Sequence, residues 1–371
     1  MALALNPVQA PAERRILNHD IMNCTAEGVS GNHLYSGRAL GISEPWDIIQ
    51  LHPDLETQWP TITAHYQRIG LSHTRDVIWH VHRDELGARI GFHPSVFFFG
   101  PDECRFWGDN AWMETVDFIN SKNNFMSLAH ELGVDVPQTK CFASAAAIDP
   151  SELDDIDYPC YAKAAVSVSG VGIYRCSQPQ ELLEALASFA PETPIQIQQE
   201  VITDTFLNLQ YLVEGRKLYR LTASEQILDG FVHQGNKVPA SHAPWGAVEP
   251  MAQWLFERGM KGIFAFDVAV VQTTQGLRFP AIECNPRFNG ASYPSLVANK
   301  LGVSEWRAVA FQTIHRNLAD IDLSEIEFDP KRGTGIVLVN WGPILEGKVL
   351  VLLAGNPAQQ QQLEQALAQR L

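Results

Sequence analysis

The chain has 371 residues, 46% hydrophobic and 19% charged, enough for two or three lobes with sizeable cores. Its 42 acidic residues outnumber 27 basic ones, giving a net charge of -15, so neither nucleic acid nor an anionic membrane is an expected partner. Any anionic ligand must therefore meet a local basic pocket. Cys24, Cys104, Cys141, Cys160, Cys176 and Cys284 include no close pair, no apolar run approaches the ~18 residues of a membrane span, and segment 1–15 lacks an apolar signal core. A soluble cytoplasmic protein with reduced thiols is the expectation.

From about residue 14 to 120, strand-like stretches at 48–51, 77–81 and 96–99 alternate with helical ones such as 61–69. That rhythm predicts an open α/β lobe with a mostly parallel sheet. Gly28, Gly31 and Gly37 are too irregularly spaced for a dinucleotide fingerprint and read as loop. His80 and His82 share a strand face with His93 nearby in sequence, but without a third ligand they read as ordinary strand histidines.

A second section opens with a predicted helix over 122–132, stopped by Gly133-Val-Asp-Val-Pro137. Strands follow at 140–143 and 160–165, separated by an acidic turn at 151–157. A Ser/Gly loop at 167–172 then leads to a strand at 173–176, an amphipathic helix at 180–189 and a strand at 195–201. This reads as an α+β lobe. Beyond it come a helix at 250–259, strands at 263–271 and 278–283 about a turn at 273–276, and a predicted helix over 306–318. A strand pair at 335–339 and 348–353 precedes a closing helix, whose glutamine run 359–362 is expected to face solvent.

The strongest chemical signal is Phe266-Asp267-Val268 followed by Ile282-Glu283-Cys284-Asn285-Pro286-Arg287. Glu283 and Asn285, two apart on a strand, share a face. A hairpin turning near residue 275 sets Asp267 opposite Glu283. Facing carboxylates destabilise a sheet unless a cation offsets them, and hard oxygen ligands suit Mg²⁺ held between protein and phosphates. A solvated strand end is the alternative, and the flanking Phe264, Phe266 and Ile282 favour a buried face instead. Lys163, inside the apolar Tyr161-Ala162-Lys163-Ala164, requires an anion. The loop just after it, with Ser167, Ser169, Gly170 and Gly172, offers hydroxyls and backbone N–H groups to one. Lys122, taken alone, reads as a surface lysine at a helix start.

The order of these parts over about residues 122–294 resembles the ATP-grasp superfamily, which includes D-alanine–D-alanine ligase, biotin carboxylase and the carbamoyl-phosphate synthase large chain. The resemblance implies an α/β N-terminal lobe plus an α+β ATP-grasp fold, two lobes clasping ATP. The expected boundaries are 1–120 for the pre-ATP-grasp domain, 121–215 for the lid subdomain, 216–330 for the large subdomain and 331–371 for a C-terminal extension packed on it. Lys122 and Lys163 match the lysines that contact ATP phosphates, and the 167–172 loop matches the lid. Glu200 and Ile202 match the hinge that reads adenine. Asp267, Glu283 and Asn285 match the ligands of two Mg²⁺ ions, and Arg287 matches an arginine that steadies the acyl phosphate. Phe231-Val-His233-Gln-Gly235 resembles a carbamoyl-phosphate synthase segment, which places His233 near the phosphates.

There are departures. Phe206 stands where many members have a ribose-binding acid, leaving Asp204 or Asn208 as substitutes. Ala265 replaces an arginine of D-alanine–D-alanine ligases, and Ser121 replaces a common aspartate. The implied activity is ATP-dependent carboxylate–amine ligation through an acyl phosphate, with Arg287 and Lys163 as the catalytic residues. Its expected substrates are a small-molecule acid and amine, an amino acid or small peptide. A bicarbonate-activating carboxylase or carbamoyl-phosphate-type enzyme is the alternative, disfavoured because no second ATP-grasp half, amidotransferase or biotinyl section is present. A non-catalytic ATP-binding module is the other. Relatives also use the first lobe for dimer contacts, so a homodimer is possible.

Overall fold

The computed structural model describes residues 14–25, 31–167, 172–230 and 232–371. Gly28, Ser169, Gly170 and Phe231, singled out above, lie outside the described residues.

The first lobe is built on a parallel sheet ordered Asp76–Ile78, Ile48–Gln50, Arg14–Asn18, Phe92–Val96. Two of its strands are displaced from the sequence expectation. The ladder next to Arg14–Asn18 runs from Phe92 to Val96, and the apolar residues that follow pack instead of pairing. Phe97 and Phe99 are buried, with Phe99 stacked on Trp112 at 3.8 Å between centroids. The strand expected at 77–81 ends at Ile78, and buried amides take over from the ladder. Asn18 Nδ2 donates to the Val81 carbonyl at 3.0 Å and Gln50 Nε2 to that of His82 at 2.8 Å.

The helix Lys122–Leu132 begins at Ser121, whose hydroxyl accepts the Asn124 N–H, and ends at Gly133 in the left-handed region (φ 67°). It packs beside an antiparallel sheet ordered Thr139–Phe142, Ile195–Gln199, Cys160–Ala164, Ile173–Cys176. The helix Pro179–Ala187 closes that lobe's own small core, which includes Cys160, Ala162, Leu182 and Ile197.

The large sheet has eight strands: Ala281–Asn285, Gly262–Ala269, Phe206–Glu214, Lys217–Asp229, Val232–Val238, Trp306–Gln312, Lys348–Ala354 and Gly335–Asn340, in spatial order. The helix expected over 306–318 is therefore corrected to a strand. Trp306–Gln312 sits between two antiparallel partners, and satisfying both ladders outweighs the helix preference of its Arg and Ala residues. Gly235 makes that approach possible, because a Cβ there would collide with the Ala308 carbonyl. The glutamine run also departs in one place. Gln360 is buried, and its Nε2 donates to the Gly355 carbonyl at 2.6 Å.

One apolar core joins the first lobe to the C-terminal strands, with Leu17, Ile49 and Tyr66 packed in the same cluster as Ile336, Val337 and Val351. Polar contacts pin this seam. The Tyr66 hydroxyl donates to the Leu338 carbonyl (3.0 Å), and the Leu338 N–H donates to His65 Nε2 (3.1 Å). His65 Nε2 must then carry the lone pair, so Nδ1–H donates to Glu327 at 2.6 Å. Burial holds His65 below its ordinary pKa, consistent with this neutral form. For Glu327, burial opposes ionisation, but hydrogen bonds from His65 and Arg68 outweigh it and hold the carboxyl at about 2, against an ordinary 4.5. The stabilisation is thus complete above 4.5 and disappears as pH falls towards 2. Glu327→Gln is expected to cost about 1–3 kcal/mol at neutral pH. Urea midpoints of the variant and wild type should converge on acidification; a constant gap down to the acid limit would contradict this assignment.

Candidate active site

The hairpin forms in the register expected from the sequence, with Asp267 opposite Glu283 and Ala265 opposite Asn285. On the other side, Asp267 pairs with Asn208 of Phe206–Glu214. Three amides hold the Asp267 carboxylate: Asn208 Nδ2 and Gln226 Nε2 each donate to Oδ1 at 2.7 Å, and Asn285 Nδ2 to Oδ2 at 3.0 Å. Asn285 spends its N–H on this contact, which leaves its carbonyl oxygen for another partner. Burial and the neighbouring Glu283 push Asp267 up to about 7. Burial also opposes the charge on Glu283, but Lys122, Lys163 and Arg287 more than offset it and keep its carboxyl below the usual value. Glu283 opens onto the cleft, its side chain 32% exposed.

Both lysines face this pair. Lys122 Nζ lies 3.6 Å from Glu283 Oε2 and donates to Ser167 Oγ at 3.1 Å. Lys163, only 8% exposed, donates to Gln198 Oε1 at 2.8 Å. Burial lowers the Lys163 ammonium to about 8, with Glu283 supporting its charge and Lys122 opposing it. Arg287 completes the positive rim. Its Cζ lies 5.4 Å from the Phe97 ring centroid, and burial pulls its pKa down while Glu283 supports the charge. His233 stands close by, bonded through Nε2 to Asn236 Oδ1 (2.6 Å). A Cβ on Gly290 would come within 2.7 Å of its ring.

The remaining expected residues are more scattered. The Glu200 carboxylate is occupied by Arg175 (2.8 Å to each oxygen) and by the Tyr161 hydroxyl (2.9 Å), and Arg175 chiefly keeps its pKa low. Ile202 is 83% exposed beside it, and Asp204 is exposed. Gly172 has φ 74° at the end of the 167–172 loop. Asn208, expected with Asp204 as a substitute ribose contact, lies by strand register against Asp267, inside the carboxylate cluster.

Across its whole length the structure resembles N5-carboxyaminoimidazole synthetase of Staphylococcus aureus, solved with ADP (TM-score 0.60, 12% identity, 100% of each chain). N5-carboxyaminoimidazole ribonucleotide synthetase of Thermus thermophilus gives TM-score 0.58 at 15% identity over 97% of each chain. The enzyme of that name from Thermotoga maritima gives 0.55 at 12% over 96% of each. The chain has the ATP-grasp fold. No protein-family model and no curated protein matches its sequence. No helix among the described residues is long and apolar enough to cross a membrane.

Within this ATP-grasp fold, sequence reasoning missed the amides that position the charged groups. Gln226 steadies Asp267, and Gln198 anchors Lys163 while donating to Thr139 Oγ1 at 3.2 Å. Ile195-Gln196-Ile197-Gln198 carried a signal for the second, since alternation puts two glutamines on one strand face and both are buried. Nothing comparable marks Gln226. The lysine chemistry is directly testable. In the reductively ¹³C-methylated protein, the Lys163 resonance should titrate near 8. Glu283→Gln should move that midpoint lower, because the carboxylate supports the ammonium; an ordinary lysine midpoint in both proteins would exclude the buried setting.

Proposed function

We propose that the chain is an ATP-dependent carboxylate–amine ligase that forms an amide through an acyl phosphate and releases ADP and phosphate. One observation carries this reading: Asp267, Glu283 and Asn285 meet Lys122 and Lys163 in a single cleft between the lid sheet and the large sheet. Two carboxylates and an amide oxygen, with no thiol or imidazole among them, form a donor set that fits Mg²⁺. Burial first, and then the facing Glu283, lift the pKa of Asp267, a setting in which a bound cation would favour the ionised pair. Asp267, Glu283 and Asn285 would hold two such ions, which supply charge neutralisation at the phosphates when bound.

In this reading the triphosphate of ATP lies along Lys122, Lys163 and the 167–172 loop, with adenine at the 200–202 edge. Because Arg175 and Tyr161 occupy the Glu200 carboxylate, backbone groups and the exposed Ile202 carry more of the adenine recognition. The substrate carboxylate attacks the γ-phosphorus, and the bond to ADP breaks. Lys163 and Arg287 balance the charge on the transferring group, which is positioning and electrostatics with no covalent role for the protein. The amine nitrogen then bonds to the acyl carbon, phosphate departs, and the amine proton passes to solvent. His233 borders the acceptor side of this cleft. An amino acid or small peptide is the proposed substrate class. The end-to-end likeness to N5-carboxyaminoimidazole synthetases favours one second reading, in which bicarbonate is the activated acid.

ADP release from Mg·ATP, measured across paired acids and amines with bicarbonate as a separate acid, tests both readings. Release that needs one acid and one amine supports ligation. Silence throughout, with ATP still stabilising the fold, would leave a non-catalytic binder. Glu283→Gln should reduce turnover by roughly 10²-fold or more with the circular dichroism unchanged. ATP affinity should weaken as pH rises through about 8, where free Lys163 loses its proton. The expected slope is about tenfold per pH unit, continuing until the higher pKa of the phosphate-bound lysine is reached. Lys163→Arg should flatten that profile.

A further inference from the structure

The first-lobe segment Asn32–Ile42, the strands Gly335–Asn340 and Lys348–Ala354, and the turn at Gly290 enclose a cavity of about 290 Å³. Arg38, Lys348, Asn340, His233, Tyr35 and Tyr293 are among the residues that line it, and none of the described lining residues is a carboxylate. In a chain of net charge -15, a cavity whose described border holds two cations and no acid calls for a reason.

Arg38 supplies it. The side chain is 7% exposed, and its guanidinium lies over the rings of Tyr293 (4.4 Å), Phe97 (4.5 Å) and Tyr35 (5.2 Å). Aromatic faces cover the plane of the group and leave its edges to make hydrogen bonds. Among the described residues, Nε and Nη2 have no hydrogen-bond partner, and Arg38 forms no ion pair. Those two nitrogens make up the side edge that grips carboxylates. Arg68, Arg175 and Arg278 use that same edge on Glu327, Glu200 and Asp135. Burying a guanidinium without an anion is unfavourable, and no described residue supplies one, so an anionic ligand would offset that cost.

Two further groups fit such a ligand. Lys348, half-buried at the cavity wall, has no ion pair among the described residues. Asn340 is 7% exposed, and its side-chain oxygen has no donor. The cavity also adjoins the expected reaction centre, since the Phe97 ring that carries Arg38 carries Arg287 as well, and His233 lines the wall.

We propose that this cavity is the acceptor pocket, and that it takes a small amine bearing a carboxylate or phosphate. Arg38 grips the anion side-on, Lys348 adds a second positive charge, and Asn340 accepts an N–H or O–H of the ligand. The identification as acceptor rests on the ligase reading, whereas the preference for an anion rests on the cavity alone. A volume near 290 Å³ suits a molecule the size of an amino acid or an amino sugar phosphate.

Isothermal titration without an acid co-substrate separates the two levels. L-Alanine and glucosamine 6-phosphate serve as anionic amines, with L-alaninamide and glucosamine as neutral counterparts. Wild type should bind at least one anionic probe tenfold or more tightly than its neutral partner, and whichever anion wins names the class. Arg38→Met should abolish that preference, Arg38→Lys should retain part of it, and Lys348→Ala should weaken it several-fold. ATP binding should persist in all three. If Arg38→Met fails to fold, the half-buried Lys348→Ala carries the test, with circular dichroism as control. Equal affinity for charged and neutral amines, no binding of either anionic probe, or unaltered preference in the folded variants would overturn the proposal. Anion preference that survives while no acid ever elicits ADP release would instead sink the ligase reading and leave the pocket standing.

Discussion

Two carboxylates facing each other across neighbouring strands set the terms for the rest of this site. Asp267 and Glu283 sit in register, where like charges repel and each makes the other harder to ionise. The strands on either side answer in different ways. Among the described residues the hydrogen bonds to Asp267 come from neutral amides, Asn208, Gln226 and Asn285, which orient the carboxylate, and the charge of Arg287 favours its ionised form without overcoming burial and Glu283. Glu283 receives Lys122 and the fields of Lys163 and Arg287. One acid is therefore fixed in place and short of positive charge, and the other is compensated but open to the cleft.

The groups that create this asymmetry come from separate parts of the fold. Lys163 comes from the four-stranded antiparallel sheet, Lys122 from the helix packed beside it, and Asp267, Glu283 and Arg287 from one end of the large sheet. Phe97, against which Arg287 packs, comes from the first lobe, where its carbonyl also accepts the Phe288 N–H at 3.1 Å. The seam through Tyr66, His65 and Glu327 keeps that lobe fixed to the C-terminal strands. The elements that carry Lys122, Asp267 and Glu283 share one buried core and Phe97 and Phe288 another, while the Lys163 strand rests on the small core of its own sheet.

What the sequence reveals follows from how local each signal is. The helix over 122–132 carries its own cap and stop, and the Asp267–Glu283 register follows from one short turn, so both were readable. Trp306–Gln312 was not, because its strand character depends on partners some 40 to 70 residues distant in the chain, at 348–354 and 232–238. The contact of Asn208 with Asp267 was hidden for a related reason: it depends on the pairing of Phe206–Glu214 with Gly262–Ala269, not on any motif near it. Arg38 gave no signal at all. In sequence it lies among Ser36, Gly37 and Ala39, and only the fold brings Tyr293 and Phe97 to its faces.

The cations of the cleft fall into two kinds, and the difference bears on how each meets a ligand. Lys122 and Lys163 are already partnered, with Glu283 and Ser167 in one case and Gln198 in the other. Binding a phosphate there exchanges existing contacts for new ones, so part of the attraction is offset by what is given up. Arg38 has nothing comparable to surrender along its Nε–Nη2 edge, and its aromatic neighbours have fixed its orientation in advance. An anion that reaches it meets a preorganised, desolvated fork, which favours selectivity by charge and shape. On the ligase reading, the lysine end is suited to a nucleotide that must bind, change charge and leave, and the arginine end to choosing which amine is admitted.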